Sequence, residues 1–426
     1  MLTVGSIITG TSVDVDYIGQ GIIKHEGIVI FVKRLLQDEV AEVEITSMKN
    51  RFAEGKIIKL ITPSPHRRSH PDLHLGSLDL LHMDDEEQLR WQHQLTKQTF
   101  EKIAGIIVEP EQTLTDRRFF HYRNKSVFHV MERPVLTLGL YKEDGSGLQM
   151  IEQFAIADQT TNRILKVIKE KKIRVDWKIF KHISIRTNEK DEALVTLVAL
   201  KPSFFGLEDV RKQLNTIQGV IGITLNIKDH PQTILGPTSY LMDGKDYIDL
   251  SLGSWSFQVT DQSFFQINTP VIEKAYALIK QHIIEHATLV DAYSGVGSIG
   301  FYCHDRLTSL TMIESNKDAV KIAEDVIQKR GLTNVKVLKG YAERLINEVS
   351  GDVLVVDPPR NGLMPAFVQS IIERPFKQIF YLSCDLKTLT RDVKALLSTY
   401  VIKQITPIRM FPQTTECETL VILEKS

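Results

Sequence analysis

The stretch Thr288–Gly300 reads TLVDAYSGVGSIG, a mostly apolar strand that runs through an acid into two closely spaced glycines. Gly295 and Gly297 permit a tight turn and let a ligand approach the backbone. The flanking chain keeps the same grammar. SLTMIES, NVKVLKG, DVLVVDPP, QIFYLSC and ETLVILEK read as strands, with a helix over 318–329 after the first and another over 271–285 upstream. Strands alternating with helices predict an α/β fold with a mostly parallel, doubly wound sheet. Functional residues then gather at the strand C-termini, near the topological switch point.

Two constellations sit at such ends. Glu314 closes the strand after the glycine turn, 23 residues beyond Asp291. A carboxylate there can accept hydrogen bonds from both ribose hydroxyls of an adenosine cofactor. The chain has neither a glycine run able to cradle a pyrophosphate nor a Walker lysine, so S-adenosylmethionine is expected before NAD. The second constellation is VVDPPRNGL, Val355–Leu363, where two prolines stiffen the loop and aim Asp357 above the sheet. Cys384 ends another strand, QIFYLSC. A free cysteine is more often a small buried hydrophobe than a reagent, so placement alone leaves its role open.

A chain of 426 residues is long enough for two or three domains. Its three cysteines, Cys303, Cys384 and Cys417, are widely spaced and contain no C-x-x-C. That argues against a disulfide framework or a four-cysteine metal site and for a reducing cytoplasm. MLTVGSIITG lacks the basic and apolar regions of a leader, and no apolar run reaches the roughly 18 residues of a membrane span. A soluble cytoplasmic protein with no membrane partner is expected. The formal net charge of −1 carries no global nucleic-acid signal. Locally, Lys49–His70 holds six Lys/Arg and two His against one Glu, and DRRFFHYRNKSVFHVMER (Asp116–Arg133) interleaves basic and aromatic residues. Such patches can track phosphates while rings stack on bases, although a solvated basic face has the same composition.

Residues 1–62 read as short strands, VDVDYIGQGI, HEGIVIFVKRLL, EVAEVEIT and FAEGKIIKLIT, and predict a small closed β-barrel. Residues 63–260 follow as a linker, a helix over 84–107 and a central α+β domain. Within it YRNKSVFHVM, PVLTLGLYK, HISIRTN and EALVTLVAL are predicted strands, and 159–170 and 207–218 predicted helices. Residues 261–426 form the doubly wound segment.

QSFFQIN, LVDAYSGVGSIGFY, VVDPPRNGL, YLSCDLKTLTRDV and FPQTTECETLVIL, in this order and spacing, resemble the RNA (uracil-5-)-methyltransferases. That family contains the bacterial tRNA and ribosomal-RNA 5-methyluridine enzymes. HYRNKSVFHV and NTIQGVIGITLNIKDHPQTILG are similar to its central-domain segments, and the N-terminal barrel looks like its TRAM domain. The resemblance spans essentially the whole chain. It implies a Rossmann-like class I methyltransferase domain that methylates C5 of a uridine in RNA, with S-adenosyl-L-methionine as cofactor. Matched position by position, Cys384 is the nucleophile and Glu418 the general base. Gln266, Tyr293, Ser298, Glu314 and Asp357 fall at cofactor-pocket positions. The barrel favours ribosomal RNA over tRNA as the partner, and a monomer is expected.

The chain departs from the family pattern in three places. Where many relatives carry four cysteines for an iron–sulfur cluster, SPHRRSHPDLHLGSLDLLHMDDEEQLRW has none, with LGSL (Leu75–Leu78) in place of C-G-G-C. Clusters need thiolates, so none is expected. The histidines there, His66, His70, His74 and His82, do not have the spacing of a known zinc site. Asp385-Leu386 replaces the usual Asn-Pro after the nucleophile, and a carboxylate in that place is expected to raise the thiol pKa. Glu416 stands where His is usual. These changes motivate the alternative of a catalytically weak RNA-binding relative acting in RNA folding or ribosome assembly, against which the retained Cys384 and Glu418 argue. Cytosine C5 methylation would call for a cysteine in the Asp-Pro-Pro loop, and VVDPPRNG has none.

Overall fold

The computed structural model describes residues 2–426. The first five strands, β1 (Ile7–Val15), β2 (Gln20–His25), β3 (Ile28–Lys33), β4 (Val40–Met48) and β5 (Phe52–Thr62), close into a barrel in the order β1-β2-β3-β5-β4. Alternation turns Ile23, Ile30, Val32, Val43 and Ile45 into its core. VDVDYIGQGI is not one strand. The Asp16 carboxylate accepts the amides of Ile18 and Gln20 at 3.0 and 2.7 Å, which reverses the chain between β1 and β2.

The helix expected over 84–107 is shorter. Asp84 caps α1 (Asp85–Thr99) by accepting the Glu87 amide, and the helix then widens into a π turn over Phe100–Ala104. Gly105, at φ 74°, ends it. This helix lies against the C-terminal sheet, where Gln92 donates to the carbonyls of Ile408 and Glu418 at 2.9 and 3.2 Å.

The central region contains β6 (Lys125–Val130), β7 (Leu138–Tyr141), β8 (Leu148–Met150), α2 (Gln159–Lys171), β9 (Phe180–Thr187), β10 (Ala193–Ala199), α3 (Leu207–Leu214), β11 (Val220–Ile227) and β12 (Thr238–Gly244). The seven strands form one sheet in the order β12-β11-β10-β9-β6-β7-β8. Its core joins Phe128, Ile183 and Val195 to Ile164 and Leu165 of α2 and to Val210 and Leu214 of α3. Leu75, Leu78 and Leu81 of the linker enter the same core. The LGSL segment is therefore a hydrophobic plug. Of the four linker histidines, His66 pairs with Asp84 at 2.8 Å, His70 stacks on Phe120, and His82 is fully buried.

A hairpin, β13 (Tyr247–Leu252) and β14 (Trp255–Thr260), precedes the C-terminal sheet, and its Ile248, Leu250, Phe257 and Val259 share that sheet's core. Then come α4 (Thr269–His282), β15 (Ala287–Ala292), α5 (Ser298–Cys303), β16 (Leu307–Glu314), α6 (Lys317–Arg330), β17 (Val335–Lys339), α7 (Ala342–Leu345), β18 (Val353–Val356), α8 (Pro365–Glu373), β19 (Gln378–Ser383), α9 (Leu386–Leu396), β20 (Tyr400–Ile408) and β21 (Glu418–Lys425). The sheet order is β17-β16-β15-β18-β19-β21-β20. The five strands from β17 to β19 are parallel, and β21 runs antiparallel between β19 and β20. Winding proceeds outward one way from β15 and the other way from β18, so the crevice opens between these two strands. Among the described residues no helix is long and apolar enough to cross a membrane.

Candidate active site

A cavity of about 550 Å³ opens over the C-terminal ends of β15, β16 and β18. Gln266, Tyr293, Ser298, Glu314 and Asp357 all line it. The turn after β15 explains the shape. Gly295 and Gly297 adopt φ of 55° and 82°, and a Cβ on Gly297 would come within 2.4 Å of the Met312 sulfur. Below the turn, buried Asp291 accepts the Gly300 amide at 3.0 Å and so fixes the start of α5. Burial, then the Asp357 and Glu314 charges, push its carboxyl up to about 8. Glu314 is held by the amides of Gly295 and Asn316 at 2.9 and 2.6 Å. Oε1 also accepts the Ser315 hydroxyl at 3.3 Å, whereas Oε2 keeps a further lone pair to offer a hydroxyl. The Tyr293 hydroxyl donates to Glu343 at 2.8 Å, and the Ser298 hydroxyl lies 3.1 Å from that of buried Tyr276.

Cys384 and Glu418 lie just outside the cavity lining, beyond Asp357. Sheet register brings them together. Ser383 of β19 sits opposite Thr419 of β21, so the next residues along, Cys384 and Glu418, emerge side by side at the sheet end. Val356, which precedes Asp357, is opposite Tyr381 on the neighbouring strand. Glu418 is buried, and burial followed by the charge of Asp357 raises its carboxyl well above the usual range. Asp357 is likewise raised by burial. A buried and a half-buried carboxyl that repel each other hold on to a proton between them.

The Cys384 thiol is half-buried and pushed up to about 11, first by burial and then by Glu418 and Asp357. The Arg360 guanidinium opposes this rise. Arg360 is the cation acting on the sulfur, and it pairs with Glu416 at 2.7 Å. Its loop is pinned to α9, since Thr388 Oγ1 donates to the Arg360 carbonyl at 3.0 Å. Asp385 does not act as its sequence position suggests. Its carboxylate turns away to cap α9, accepting the Thr388 amide at 2.8 Å, and the charges that move the thiol most are those of Glu418, Asp357, Arg360 and Glu416. The helix N-terminus draws the acid away from the sulfur.

Labelling of Cys384 by iodoacetamide should climb about tenfold per pH unit between about pH 7 and 10, as the thiolate fraction grows. Cys303 and Cys417, both buried, stay unlabelled in the folded protein. Peptide mass spectrometry showing a plateau for Cys384 near neutral pH would contradict the buried, acidic environment of the sulfur.

Two residues at this site escape a reading of the sequence. Arg360 stands in a motif read for its acid, and its partner Glu416 is 56 residues away. Phe264 lines the cavity mouth and is 73% exposed, whereas its neighbour Phe265 is buried. The adjacent pair in QSFFQIN was the available signal, because a second phenylalanine beside a buried one has no core to enter. Arg409 supports the site from below. It is fully buried, donates to Gln88 and to the Thr414 carbonyl at 2.9 and 2.8 Å, and so anchors the β20–β21 connection to α1.

Residues 84–426 match the family described as tRNA (uracil-5-)-methyltransferase. The chain belongs to this family. As a uracil-5-methyltransferase family member it is an RNA methyltransferase, the activity its similar relatives are named for. An uncharacterized RNA methyltransferase of Fusobacterium nucleatum is 28% identical over 458 aligned positions, covering 100% of this chain and 97% of that protein. One from Staphylococcus aureus is 28% identical over 443 positions, covering 98% and 97%. The tRNA (uracil-54, C5)-methyltransferase of Pyrococcus abyssi, solved with S-adenosyl-L-homocysteine, superposes with a TM-score of 0.77 at 21% identity, covering 98% of this chain and all of that one. The fold read from the sequence, a Rossmann-like domain behind an N-terminal barrel, is the fold observed.

Proposed function

We propose that this protein methylates C5 of a uridine in RNA through a covalent adduct at C6. The observation that carries the reading is the convergence of Cys384, Arg360, Asp357 and Glu418 beside the cavity over β15, β16 and β18. That cavity suits S-adenosyl-L-methionine. Glu314 faces it with a free lone pair on Oε2 for a ribose hydroxyl, and Gly295 leaves its backbone open. Bound there, S-adenosyl-L-methionine supplies an electrophilic methyl group.

Uracil C5 is too poor a nucleophile to accept a methyl group unaided. The Cys384 thiolate adds to C6, and the electrons of the C5–C6 double bond move toward O4, which makes C5 carbanion-like. Arg360 is the cation placed to stabilise that thiolate before it adds. Once C5 carries the methyl group, the Glu418 carboxylate takes the C5 proton. The double bond re-forms, the S–C6 bond breaks, and Cys384 leaves as thiolate. High basicity in Glu418 serves this last step. Exposing C6 requires the base to leave its stack, and Phe264 at the mouth offers a face to receive it.

Ribosomal RNA is our first substrate fraction, on the strength of the barrel and its basic strand β5. The likeness to the Pyrococcus abyssi tRNA enzyme covers 98% of this chain, barrel included, so transfer RNA is read in the same experiment. Protein, tritiated S-adenosyl-L-methionine and RNA from a strain lacking the gene are incubated, and each fraction is digested to nucleosides. Radioactive 5-methyluridine is expected. Its absence from every fraction, where a control enzyme labels its own substrate, would falsify the proposal.

A further inference from the structure

The turn between β1 and β2 does not hang free of the catalytic domain. Trp91 of α1 donates its indole N–H to the Asp16 carbonyl at 3.0 Å. Gly19, at φ 79°, sits so close to the linker that a Cβ there would come within 2.6 Å of Leu80 and 3.4 Å of Thr415. Beneath the turn, Val15 and Leu36 of the barrel form one buried cluster with Leu80, Met83, Trp91 and Cys417. Cys417 adjoins Glu418, and Thr415 is on the same connection. The barrel turn is therefore welded to the segment that carries the candidate base.

At its tip Tyr17 is 51% exposed and Ile18 45% exposed, although nothing in the fold requires an aromatic ring there. The Lys387 ammonium lies 3.3 Å from the centre of the Tyr17 ring. Lys387 is the second residue of α9 and follows Cys384 by three positions. One turn of the barrel thus reaches both catalytic segments, with a ring and a cation at its outer edge.

We propose that Tyr17 and Lys387 form a seat for a nucleotide flanking the target uridine, its base stacked on the face of the Tyr17 ring that Lys387 does not cover and its phosphate facing the Lys387 ammonium. This rests on the reading of the site as one that acts on an unstacked uridine in RNA. Removing a base from its stack deprives its neighbour of a partner, and an exposed ring beside the mouth replaces that partner for any base. A lysine over the ring neutralises one phosphate without reading sequence. The seat therefore fixes where the strand enters, not which bases flank the target.

The test uses the full chain and a fluorescein-labelled single-stranded oligouridine, with fluorescence anisotropy giving Kd. Tyr17→Ala should weaken binding about tenfold or more. Tyr17→Phe, which keeps the ring, should restore it. Lys387→Gln should weaken binding at low salt and reduce the slope of log K against log salt by about one phosphate contact. Ile7→Ala, at the far end of β1 and 63% exposed, serves as a barrel control that leaves binding unchanged. Melting temperatures and S-adenosyl-L-homocysteine binding should match the parent protein in all four. Unchanged oligouridine binding by Tyr17→Ala overturns the seat, and so does Tyr17→Phe failing to restore it. Should the parent methylate no RNA while Tyr17→Ala still loses oligouridine, the seat stands and the methylation reading falls.

Discussion

Cys384→Ala is expected to lower methylation of RNA by at least about 10⁴-fold in kcat and to leave no covalent protein–RNA species. The size follows from the chemistry. Without addition at C6 the uracil ring has no route to a nucleophilic C5, so positioning alone has nothing to accelerate. Structure argues that the loss will be chemical and not a collapse of the fold. Cys384 is half-buried at a strand end, and the elements around it are held by other contacts. Asp385 caps α9, Thr388 and Arg391 fasten the Arg360 loop, and Tyr381 donates to Asp392 at 2.7 Å. Cofactor binding and melting temperature should therefore stay near those of the parent. Cys384→Ser separates thiol chemistry from shape. A hydroxyl fits the same space, but Arg360 cannot bring it to an alkoxide beside two carboxyls, so turnover stays absent. Methylation by Cys384→Ala within tenfold of the parent would remove the covalent mechanism, whatever the family relationship.

How far the sequence discloses this site depends on how local each cause is. The strand β15 is legible because a strand covered on both faces reads as an apolar run, and its turn because glycines at 295 and 297 do a job other residues cannot. Glu314 and Asp357 each close an apolar strand, so they can be placed before any tertiary contact is known, whereas Gln266, Tyr293 and Ser298 are reached only through the family resemblance. Residues whose role comes from a distant partner are not legible in this way. Arg360 matters because the β20–β21 connection brings Glu416 to it and the end of β19 brings Cys384. Nothing near residue 360 in the chain announces either. Asp385 shows the opposite error. Being next to Cys384 in sequence suggested an electrostatic effect, yet the chain turns into a helix there and the carboxylate satisfies amide donors instead. The stretch VDVDYIGQGI was mistaken for a strand for a related reason. Its alternation is real, but the side chain of Asp16 closes a turn, and a side chain that bonds its own backbone overrides periodicity. The same turn places Tyr17, so the part of the barrel hardest to read is also the part that reaches the site.

Glu418→Gln should trap the intermediate that Cys384→Ala never forms. Glutamine keeps the shape of the side chain, and the backbone contact from Gln92 to the residue 418 carbonyl does not depend on the acid. What it removes is the proposed acceptor for the C5 proton. Turnover should fall about 10²- to 10⁴-fold, the usual range for loss of a positioned base. Formation of the adduct should not fall with it. After burial, the Glu418 charge does most to hold the Cys384 thiol up, so neutralising it lowers the thiol pKa and raises the thiolate fraction at a given pH. Iodoacetamide labelling of Cys384 in Glu418→Gln should consequently begin at lower pH than in the parent. Addition becomes easier while resolution becomes slow, and the adduct accumulates as a slowly migrating band on a denaturing gel, carrying both RNA and the methyl label. The pH profile adds a sign. In the parent, both Cys384 and Glu418 must lose protons to act and both are raised, so kcat should increase from neutral toward alkaline pH. In Glu418→Gln the rate of adduct formation should rise along one limb only, that of the thiol. If the variant turns over like the parent, the proton leaves C5 to another group, and Asp357, the other raised carboxyl beside the sulfur, is the next candidate to change. If it neither turns over nor leaves a band while Cys384 labels normally, Glu418 acts before the adduct forms and its assignment as the base for the last step falls.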